Sequence, residues 1–486
     1  MKDYMMSLSQ SFNHQFINGQ WTKGSSDKVV TNTNPFNHKH IDDIQGANPT
    51  DVDAAYEAAK NAFKSWKTTS VKERQALIER IIHVITQHRE ALVDWLINEA
   101  GSSRIKANIE VNAALGISKA SLEYANAVNN VIDLKPAKEG QASQVYHKAL
   151  GVITVISPWN FPFHLSIRSV IPAIALGNTV VLKPASDTPV TGGLIIARIF
   201  ELAEAPAGIL NVIVGAGSEI GDYVVEHDAS KLISFTGSTQ VGKRVAEKAM
   251  SAKMIKRVGL ELGGNAPLII LDDADLDLAV NLTVMGRFLH QGQICMSTNR
   301  VIVDEKIYDQ YIEKLIPAVK QIKVGNPANE DTLIGPIINA QQTENLKHII
   351  DQALNAGAEL LYDGGIDGNL VGPHVFGQVE PNFAVAKEES FGPVLPIIKA
   401  RDEQHALELA NDTEFGLSSA VCTSNNERGL KFALGIDAGM THVNDISVAD
   451  DPVAPFGGEK NSGLGRFNSE WIIEEYTTTH WITTQQ

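Results

Sequence analysis

The sequence predicts an α/β protein made of two doubly wound lobes and a smaller β element. Short β-branched runs that end at Gly, Pro or Ser follow one another from residue 149, in ALGVITVISPWN, NTVVLKPAS, ILNVIVGAG and KLISFTGS. Helical stretches such as TGGLIIARIFELAEA separate them. This alternation is typical of a parallel sheet with helices on both faces. A second alternating series, from APLIILDDAD to THVNDIS, predicts the second lobe.

Length and composition agree with this organisation. At roughly 150 residues per domain, a chain of 486 residues suggests about three structural units. Hydrophobic residues make up 43% and charged residues 20%, so the chain can bury a large interior under a solvated surface. This composition excludes a disordered or fibrous protein.

The elements outside the two series are helices at the start and edge strands at the end. Pro49 to Ala100 repeats apolar residues every three to four positions, which predicts amphipathic helices with Thr50 as the first N-cap. Ala127 to Tyr146 and the ending EEYTTTHWITTQQ fit neither lobe. We expect both to be edge strands that pair outside their own domain.

The charge balance and the cysteine count limit the partners and the compartment. Lys and Arg number 41 against 57 Asp and Glu, a net charge of -16, which repels nucleic acids and anionic lipids. Two cysteines, Cys295 and Cys422, do not suggest a disulfide framework. No signal-peptide pattern and no run of about 18 apolar residues occurs. We therefore expect a cytoplasmic protein without a nucleic-acid or membrane partner.

A phosphate-binding turn is suggested by GSTQVGK, which ends at Lys243. The next residue is Arg244, where an NTPase P-loop needs Ser or Thr to hold magnesium. The sequence therefore favours a turn that opens a helix, whose free N–H groups face an anion such as a pyrophosphate. GAGSEIG, at Gly215 to Gly221, has the same character. An ordinary strand-to-helix turn is the alternative for both.

Two side chains have the character of reacting groups. Cys295 lies among small and polar residues in HQGQICMSTNR, although a buried, inert thiol remains the alternative. For Cys422, in the apolar run SSAVCTS, we adopt the inert interpretation. Glu261 lies in the apolar run RVGLELGGNAP. A glutamate is seldom buried without a partner or a task, so it is either a functional group or half of a salt bridge.

Two further side chains stand at positions where doubly wound folds bind ligands. Asn160 in ISPWNFPF lies just after a strand and between two prolines that stiffen the backbone, so its amide is either held for binding or caps a turn. Lys183 emerges at the end of the run TVVL, where a ligand-binding lysine or a surface lysine is expected. No cluster has zinc-ligand spacing, and His38 and His40 are typical of a solvated loop. We predict no metal site.

Together these segments resemble the NAD(P)-dependent aldehyde dehydrogenases over nearly the whole chain. The resemblance rests on ISPWNFP, VVLKPAS, SFTGST, LELGGNAP, GQIC, EESFGPV and PFGGEKNSGLGR, in the order that the family has them. It implies a thiol nucleophile, a general base and an oxyanion donor at Cys295, Glu261 and Asn160. It also implies that NAD or NADP contacts Ile156, Trp159, Lys183, Ser186, Gly217, Gly221, Phe235, Gly237, Ser238, Glu389 and Phe391.

The resemblance further implies a division of the chain. Residues 1–126 and 147–259 would form a Rossmann-like cofactor-binding domain, and 260–443 a second α/β catalytic domain. Residues 127–146 and 467–486 would form a β oligomerisation element, because a β-hairpin and the chain end combine across subunits in the family. A homodimer or homotetramer is therefore expected.

The family chemistry suits these residue types. A thiolate adds to the aldehyde, the adduct loses hydride, and Glu261 activates water to release the acid from the thioester. Related enzymes that transfer the acyl group to coenzyme A generally lack this glutamate, so hydrolysis is expected. At Ser186 many NAD-preferring relatives have Glu, and the neutral side chain here predicts that NADP is at least tolerated.

The substrate expected from the resemblance is an aromatic aldehyde. PFGGEKNSGLGRF, with Phe467 where an acid is common, and HQGQICMSTNR are similar to the benzaldehyde and vanillin dehydrogenase branch. Candidate walls of the substrate channel are Phe161, Leu165, Ile294, Met296 and Phe456. Aliphatic aldehydes or semialdehydes are the alternative substrates. A cysteine hydrolase with His290 as base, and a noncatalytic binding protein, are the alternative classes.

Overall fold

The computed structural model describes residue 8 and residues 12–485. In that part of the chain the strands are β1 (Gln15–Ile17), β2 (Gln20–Thr22), β3 (Val29–Thr33), β4 (His40–Gln45), β5 (Val131–Asp133), β6 (Gln141–Ala149), β7 (Val152–Ile156), β8 (Thr179–Lys183), β9 (Leu210–Val212), β10 (Ser230–Thr236), β11 (Arg257–Glu261), β12 (Ala266–Ile270), β13 (Thr298–Asp304), β14 (Glu359–Asp363), β15 (Ile366–Asp367), β16 (Leu370–Val371), β17 (His374–Gly377), β18 (Val394–Ala400), β19 (Phe415–Gly416), β20 (Ser418–Cys422), β21 (Met440–Val443), β22 (Glu459–Lys460), β23 (Gly463–Leu464) and β24 (Thr477–Gln485).

The α-helices are α1 (Pro49–Trp66), α2 (Val71–Gln87), α3 (Arg89–Ala100), α4 (Arg104–Tyr124), α5 (Pro162–Ala175), α6 (Ile195–Leu202), α7 (Asp222–Glu226), α8 (Thr239–Ser251), α9 (Leu276–Phe288), α10 (Tyr308–Lys320), α11 (Ala340–Asn355), α12 (Ala384–Lys387), α13 (Glu403–Asn411), α14 (Asn426–Ala433) and α15 (Ser469–Tyr476). The first helix begins two residues earlier than an N-cap at Thr50 would place it. Asn48 is its N-cap, with Pro49 in the first turn and Asp51 closing a capping box, so the prediction of Thr50 is wrong.

The first lobe is built on an eight-stranded sheet in the order β2-β1-β9-β8-β7-β10-β11-β23. Its five central strands, from β9 to β11, are parallel, and β1 and β23 add antiparallel edges. The central runs are apolar on both faces because helices cover both. Helix α5 is buried along all of its length and fills the largest apolar cluster.

The second lobe is built on a seven-stranded sheet in the order β14-β17-β18-β13-β12-β20-β21. Only the edge strand β14 is antiparallel to its neighbour. The predicted two-lobed α/β fold is therefore confirmed. The sequence-based boundary at 259/260 cuts through β11, which belongs to the first sheet, and β23 returns to that sheet from beyond residue 443.

The two segments that fitted neither lobe pair with each other. Strand β24 runs antiparallel to β6 from Thr477 opposite Ala149 to Gln485 opposite Gln141, and β5 completes the three-stranded sheet. Strand β6 therefore extends past the predicted boundary at residue 146. The segment that begins at residue 467 first forms α15, which is not part of this sheet.

Candidate active site

Cys295 follows a sharp reversal of the chain between α9 and β13. His290 and Gln291 have left-handed backbone φ angles of 52° and 58°, and Gly292 follows at 74°. Non-glycine residues seldom adopt this conformation, and such strain concentrates at functional sites. The reversal places Cys295 where its side chain lines two cavities.

The two cavities differ in character. The first, of about 270 Å³, is lined by residues of both lobes, including Trp159, Ser238 and Glu389. The second, of about 130 Å³, is lined largely by apolar side chains. Cys295 and Asn160 line both cavities. The thiol and the amide therefore stand where a ligand in one cavity meets a ligand in the other.

The glycine pair of LELGG allows the backbone to pass close to these groups. A Cβ on Gly264 would stand 2.1 Å from the carbonyl oxygen of Cys295, and one on Gly263 would stand 2.5 Å from Glu389 Oε2. The first contact is with backbone, whereas the second is with the end of a side chain that can shift. Gly264 is therefore required by close packing around the thiol.

Glu261 ends β11 and is 2% exposed. Neither carboxylate oxygen has a hydrogen-bond partner among the described residues, so the salt-bridge interpretation is wrong. Burial raises the pKa of Glu261 to about 8, against the opposing charges of Arg168 and Arg466. A carboxylate in this state is a stronger base than usual and titrates near neutral pH.

Asn160 is held at both its side chain and its backbone. Its Nδ2 donates to the carbonyl of Gln293 at 2.9 Å, and its own carbonyl accepts from Lys106 Nζ at 2.6 Å. The N-cap of α5 is Phe161, so the turn-capping interpretation of Asn160 is wrong. An amide has two N–H donors, and the bond to Gln293 occupies one of them.

Burial and nearby carboxylates keep the Cys295 thiol protonated. Burial, Glu389 and Glu261 together raise the pKa of Cys295 to about 12. Cys422, fully buried in β20, also has a pKa raised to about 12 by burial. Location rather than acidity therefore distinguishes the two thiols, since Cys422 lines neither cavity.

Three of the predicted cofactor contacts lie side by side at the carboxyl ends of neighbouring strands. Ile156 pairs with Phe235 on one side and with Lys183 on the other. Lys183 is 6% exposed, and burial lowers its pKa to about 8, so it is not a surface lysine. Ser186 follows three residues after β8 and is half-buried. This edge is where doubly wound sheets bind ligands.

The turn after β10 leaves an anion-binding helix end open. Ser238 is the N-cap of α8, and its side chain makes no capping bond, so the first-turn N–H groups keep their capacity to donate. Added Cβ atoms on Gly217 and Gly221 would meet nothing within 4 Å. Arg244 pairs with Asp222 at 2.6 Å, in agreement with the rejection of an NTPase P-loop.

The first cavity also has aromatic and acidic walls. The rings of Trp159 and Phe391 meet edge to face at 5.3 Å. Glu389 Oε1 accepts from the backbone N–H of Gly264 at 2.9 Å, and burial raises the pKa of Glu389 to about 7. With the Gly237 turn on the same wall, these groups suit a ligand with a flat ring, a ribose and a pyrophosphate.

All five residues predicted as channel walls line the second cavity, namely Phe161, Leu165, Ile294, Met296 and Phe456. The same cavity contains three polar side chains that sequence reasoning missed, His164, Arg168 and Asp450. His164 and Arg168 could have been found from the sequence, because they are charged or polar residues within the otherwise apolar run FPFHLSIRSVIPAIA. Glu261 was singled out for the same reason. The sequence analysis also missed Gln342, which lies on α11 and lines the first cavity. Its sequence neighbours are polar, so it does not stand out in the sequence.

His290, the candidate base of a hydrolase, lines neither cavity that contains Cys295. Its ring packs edge to face on Phe161 at 5.6 Å. In the described part of the chain no group of His, Cys, Asp and Glu is arranged to hold a metal ion. Within the same residues, no helix combines the length and apolarity needed to span a bilayer.

Comparison with known proteins agrees with this geometry. The sequence profile of the aldehyde dehydrogenase family matches residues 21–482. The chain is 53% identical to vanillin dehydrogenase of Corynebacterium glutamicum over 96% of both chains, and 46% identical to benzaldehyde dehydrogenase YfmT of Bacillus subtilis over 98% of both. The crystal structure of a NAD-dependent benzaldehyde dehydrogenase from Corynebacterium glutamicum superposes with a TM-score of 0.91, at 49% identity, covering 98% of this chain and 97% of that one.

Proposed function

This chain belongs to the aldehyde dehydrogenase family, and we propose that it oxidises aromatic aldehydes to carboxylic acids with reduction of NAD or NADP. The observation that carries the proposal is the position of Cys295 on the wall of both cavities. One cavity offers an anion-binding helix end and the other offers apolar walls. A thiol between them can bond a substrate carbon while a nucleotide lies on its other side.

We assign the nucleophile to Cys295. Its thiol, whose pKa is raised to about 12 chiefly by burial, must release its proton to solvent before the sulfur adds, so Glu261 stays ionised for the later hydrolysis. The sulfur then bonds the aldehyde carbon, and the carbonyl π electrons move to oxygen. A charged oxyanion results.

We assign Asn160 to the stabilisation of that oxyanion. Its remaining Nδ2 hydrogen and a backbone N–H near Cys295 supply two donors. A donor of this kind contributes about 3 to 4 kcal/mol to the transition state. A bound NAD or NADP would supply the acceptor for the hydride of the substrate carbon, and the positive charge of its nicotinamide would favour the thiolate form of Cys295. Cys295 is left carrying a thioester.

Glu261 then serves as the base for hydrolysis. It takes a proton from water, the water oxygen bonds the acyl carbon, and the bond to sulfur breaks as the acid leaves. Burial without a hydrogen-bond partner increases the basicity of this carboxylate. Lys106, which bonds the backbone of Asn160, keeps the oxyanion donor in place during both steps.

The cofactor contacts stay a proposal, supported by chemistry on the walls of the first cavity and at the carboxyl ends of β8 and β10, where Lys183 and Phe235 lie outside its lining. The helix end at Ser238, with Gly237 and Phe235 beside it, suits the pyrophosphate. Lys183, Glu389 and Phe391 suit the ribose and nicotinamide end. Ser186 carries no charge, so a 2′-phosphate meets no carboxylate there. We infer that the enzyme uses NADP as well as NAD.

An aromatic substrate is supported by the walls of the second cavity and by the relatives. Phe161, Leu165, Ile294, Met296 and Phe456 form an apolar enclosure beside the thiol, which suits a ring. The two relatives are named for vanillin and benzaldehyde.

We also propose a division of labour between the lobes and an assembly of copies. The first sheet would hold the cofactor, and the second lobe would bring Cys295 and Glu389. The three-stranded sheet exposes Val131, Ile132 and Trp481, which supports a homodimer or homotetramer that uses it. Two free cysteines support a cytoplasmic location.

One assay tests the proposal. Reduced cofactor is measured with benzaldehyde, vanillin, short aliphatic aldehydes, betaine aldehyde and succinate semialdehyde, each with NAD and with NADP. The aromatic substrates should have the highest kcat/KM. A wide advantage for aliphatic or charged aldehydes would refute the aromatic assignment, and ester cleavage without nucleotide binding would favour a hydrolase.

A further inference from the structure

Apart from Cys295 and Asn160, the polar side chains that line the second cavity form one group. His164, Arg168 and Asp450 lie there among Ile109, Ala113, Leu289 and Val448. His164 and Arg168 are four residues apart on α5 and so share one face of the helix. Because a helix rises about 1.5 Å per residue, Arg168 lies about one turn beyond Leu165, which lines both cavities.

These three side chains hold one another in place. His164 Nε2 lies 3.4 Å from Asp450 Oδ2, and Asn468 Nδ2 donates to Asp450 Oδ1 at 3.4 Å. The Arg168 guanidinium lies over the ring of Phe456 at 4.1 Å and over that of Phe467 at 4.7 Å. Two aromatic faces thus fix a cation beside the acid.

The same side chains retain unused hydrogen-bonding capacity. His164 and Arg168 are 5% and 1% exposed. Within the described residues, His164 Nδ1 and Arg168 Nε and Nη1 have no hydrogen-bond partner. A buried polar atom without a partner is unfavourable, so a ligand atom that supplies one gains affinity here.

The charges define what that ligand atom can be. Burial opposes ionisation of Asp450, but the hydrogen bond from His164 and the charges of His164 and Arg168 keep its pKa below the ordinary value. Asp450 is therefore an acceptor at neutral pH and repels a carboxylate. An aliphatic tail offers no hydrogen bond. A hydroxyl group both donates and accepts, so it can bond Asp450 while it accepts from His164 or Arg168.

We propose that Asp450 and His164 form a specificity site for a hydroxyl group on the substrate ring, so that phenolic aldehydes are preferred over unsubstituted benzaldehyde. The inference rests on the proposed function, because it requires an aromatic aldehyde bound beside Cys295. It adds a role for side chains that the chemistry at Cys295 does not use.

The test compares para-hydroxybenzaldehyde, meta-hydroxybenzaldehyde, para-methoxybenzaldehyde and benzaldehyde in the wild type and in Asp450→Leu. We expect the wild type to favour at least one phenol by about tenfold or more in kcat/KM, the range of a hydrogen bond to a charged group. Asp450→Leu should remove that preference, measured within the variant as the ratio of kcat/KM for each phenol to that for benzaldehyde. Asp451→Leu, at the exposed neighbouring acid, is the matched control and should keep the preference.

A second measurement tests the proposal even if the Asp450→Leu variant does not fold. Cys295→Ala is titrated with para-hydroxybenzaldehyde and with benzaldehyde by calorimetry, with and without Asp450→Asn, which keeps the size of the side chain. The proposal is supported if Cys295→Ala binds para-hydroxybenzaldehyde more tightly than benzaldehyde and if Asp450→Asn weakens the binding of para-hydroxybenzaldehyde. An unchanged preference in both Asp450 variants, or an equal loss for all four aldehydes, overturns it. If the wild type oxidises aliphatic aldehydes and no aromatic one, the proposed function itself fails.

Discussion

The ammonium group of Lys106 donates a hydrogen bond of 2.6 Å to the backbone carbonyl of Asn160. Lys106 also pairs with Glu110, and both side chains are fully buried. Glu110 Oε1 accepts from the backbone N–H groups of Phe163 and His164 at the start of α5. A buried ion pair on α4 therefore fixes both the oxyanion donor and the helix that follows it.

Lys106→Met should affect stability and catalysis separately. Removing one member of a buried pair leaves an uncompensated charge, which costs about 3 to 5 kcal/mol, so the urea midpoint should fall. The double variant Lys106→Met with Glu110→Gln should recover much of the stability. It should not recover kcat, because the Asn160 carbonyl still lacks its donor. Full recovery of kcat in the double variant would show that the pair serves folding alone.

Glu261→Gln should stop the reaction after the first turnover. General-base catalysis contributes about 10²- to 10⁴-fold, and an amide cannot take a proton from water. We expect a burst of about one reduced cofactor per active site, followed by a slow steady state, with the acyl group found on Cys295 by mass spectrometry. Glu475→Gln, a half-buried glutamate outside both cavities, is the control and should show no burst. Steady turnover of Glu261→Gln at the wild-type rate would exclude the assignment.

The pH dependence follows from the raised pKa of Glu261. Because the carboxylate form is needed, hydrolysis of the thioester should accelerate as pH rises through about 8. The contribution of Glu261 to folding stability changes with pH in the opposite direction. The folded state binds this proton more tightly than the unfolded state, with its ordinary pKa of about 4.3, so the contribution is present below that value and is lost as pH rises through about 8. Single-turnover rates and melting temperatures across pH should show both trends, and Glu261→Gln should flatten them.

Ser186→Glu should shift the cofactor preference toward NAD. A carboxylate near a 2′-phosphate is unfavourable by about 1 to 4 kcal/mol, depending on the effective dielectric. The kcat/KM for NADP should therefore fall by about fivefold or more, with little change for NAD. Asp187, the next residue, bonds Asn339 Nδ2 at 3.0 Å and is left intact. An equal decrease for both cofactors would indicate that the substitution disturbs the fold instead.

The sequence predicted those elements that are determined by residues close together in the chain. The apolar runs of β7, β8 and β10 predicted the strands, and the small residues after β10 predicted the turn at Ser238. Glu261 was recognisable because a lone carboxylate in an apolar run needs a reason. The N-cap at Asn48 was missed because Thr50 is also a good capping residue, and Pro49 in the first turn decides between them.

Other features depend on residues that are distant in sequence. Asp450 reaches His164 from 286 residues away, and Lys106 reaches Asn160 from 54. The raised pKa of Glu261 results from burial, which its own segment does not determine. The pairing of β24 with β6 joins segments more than 300 residues apart, so their sequences indicate strands without indicating the partner.

The most direct measurement of the central claim compares Cys295→Ala with Cys422→Ala. The pKa values of both thiols are raised to about 12, so a comparison of the two variants separates the effect of position from that of acidity. Aldehyde oxidation should disappear in folded Cys295→Ala, with no acyl adduct by mass spectrometry, while Cys422→Ala keeps near wild-type kcat and the adduct. Undiminished oxidation by Cys295→Ala would contradict the account.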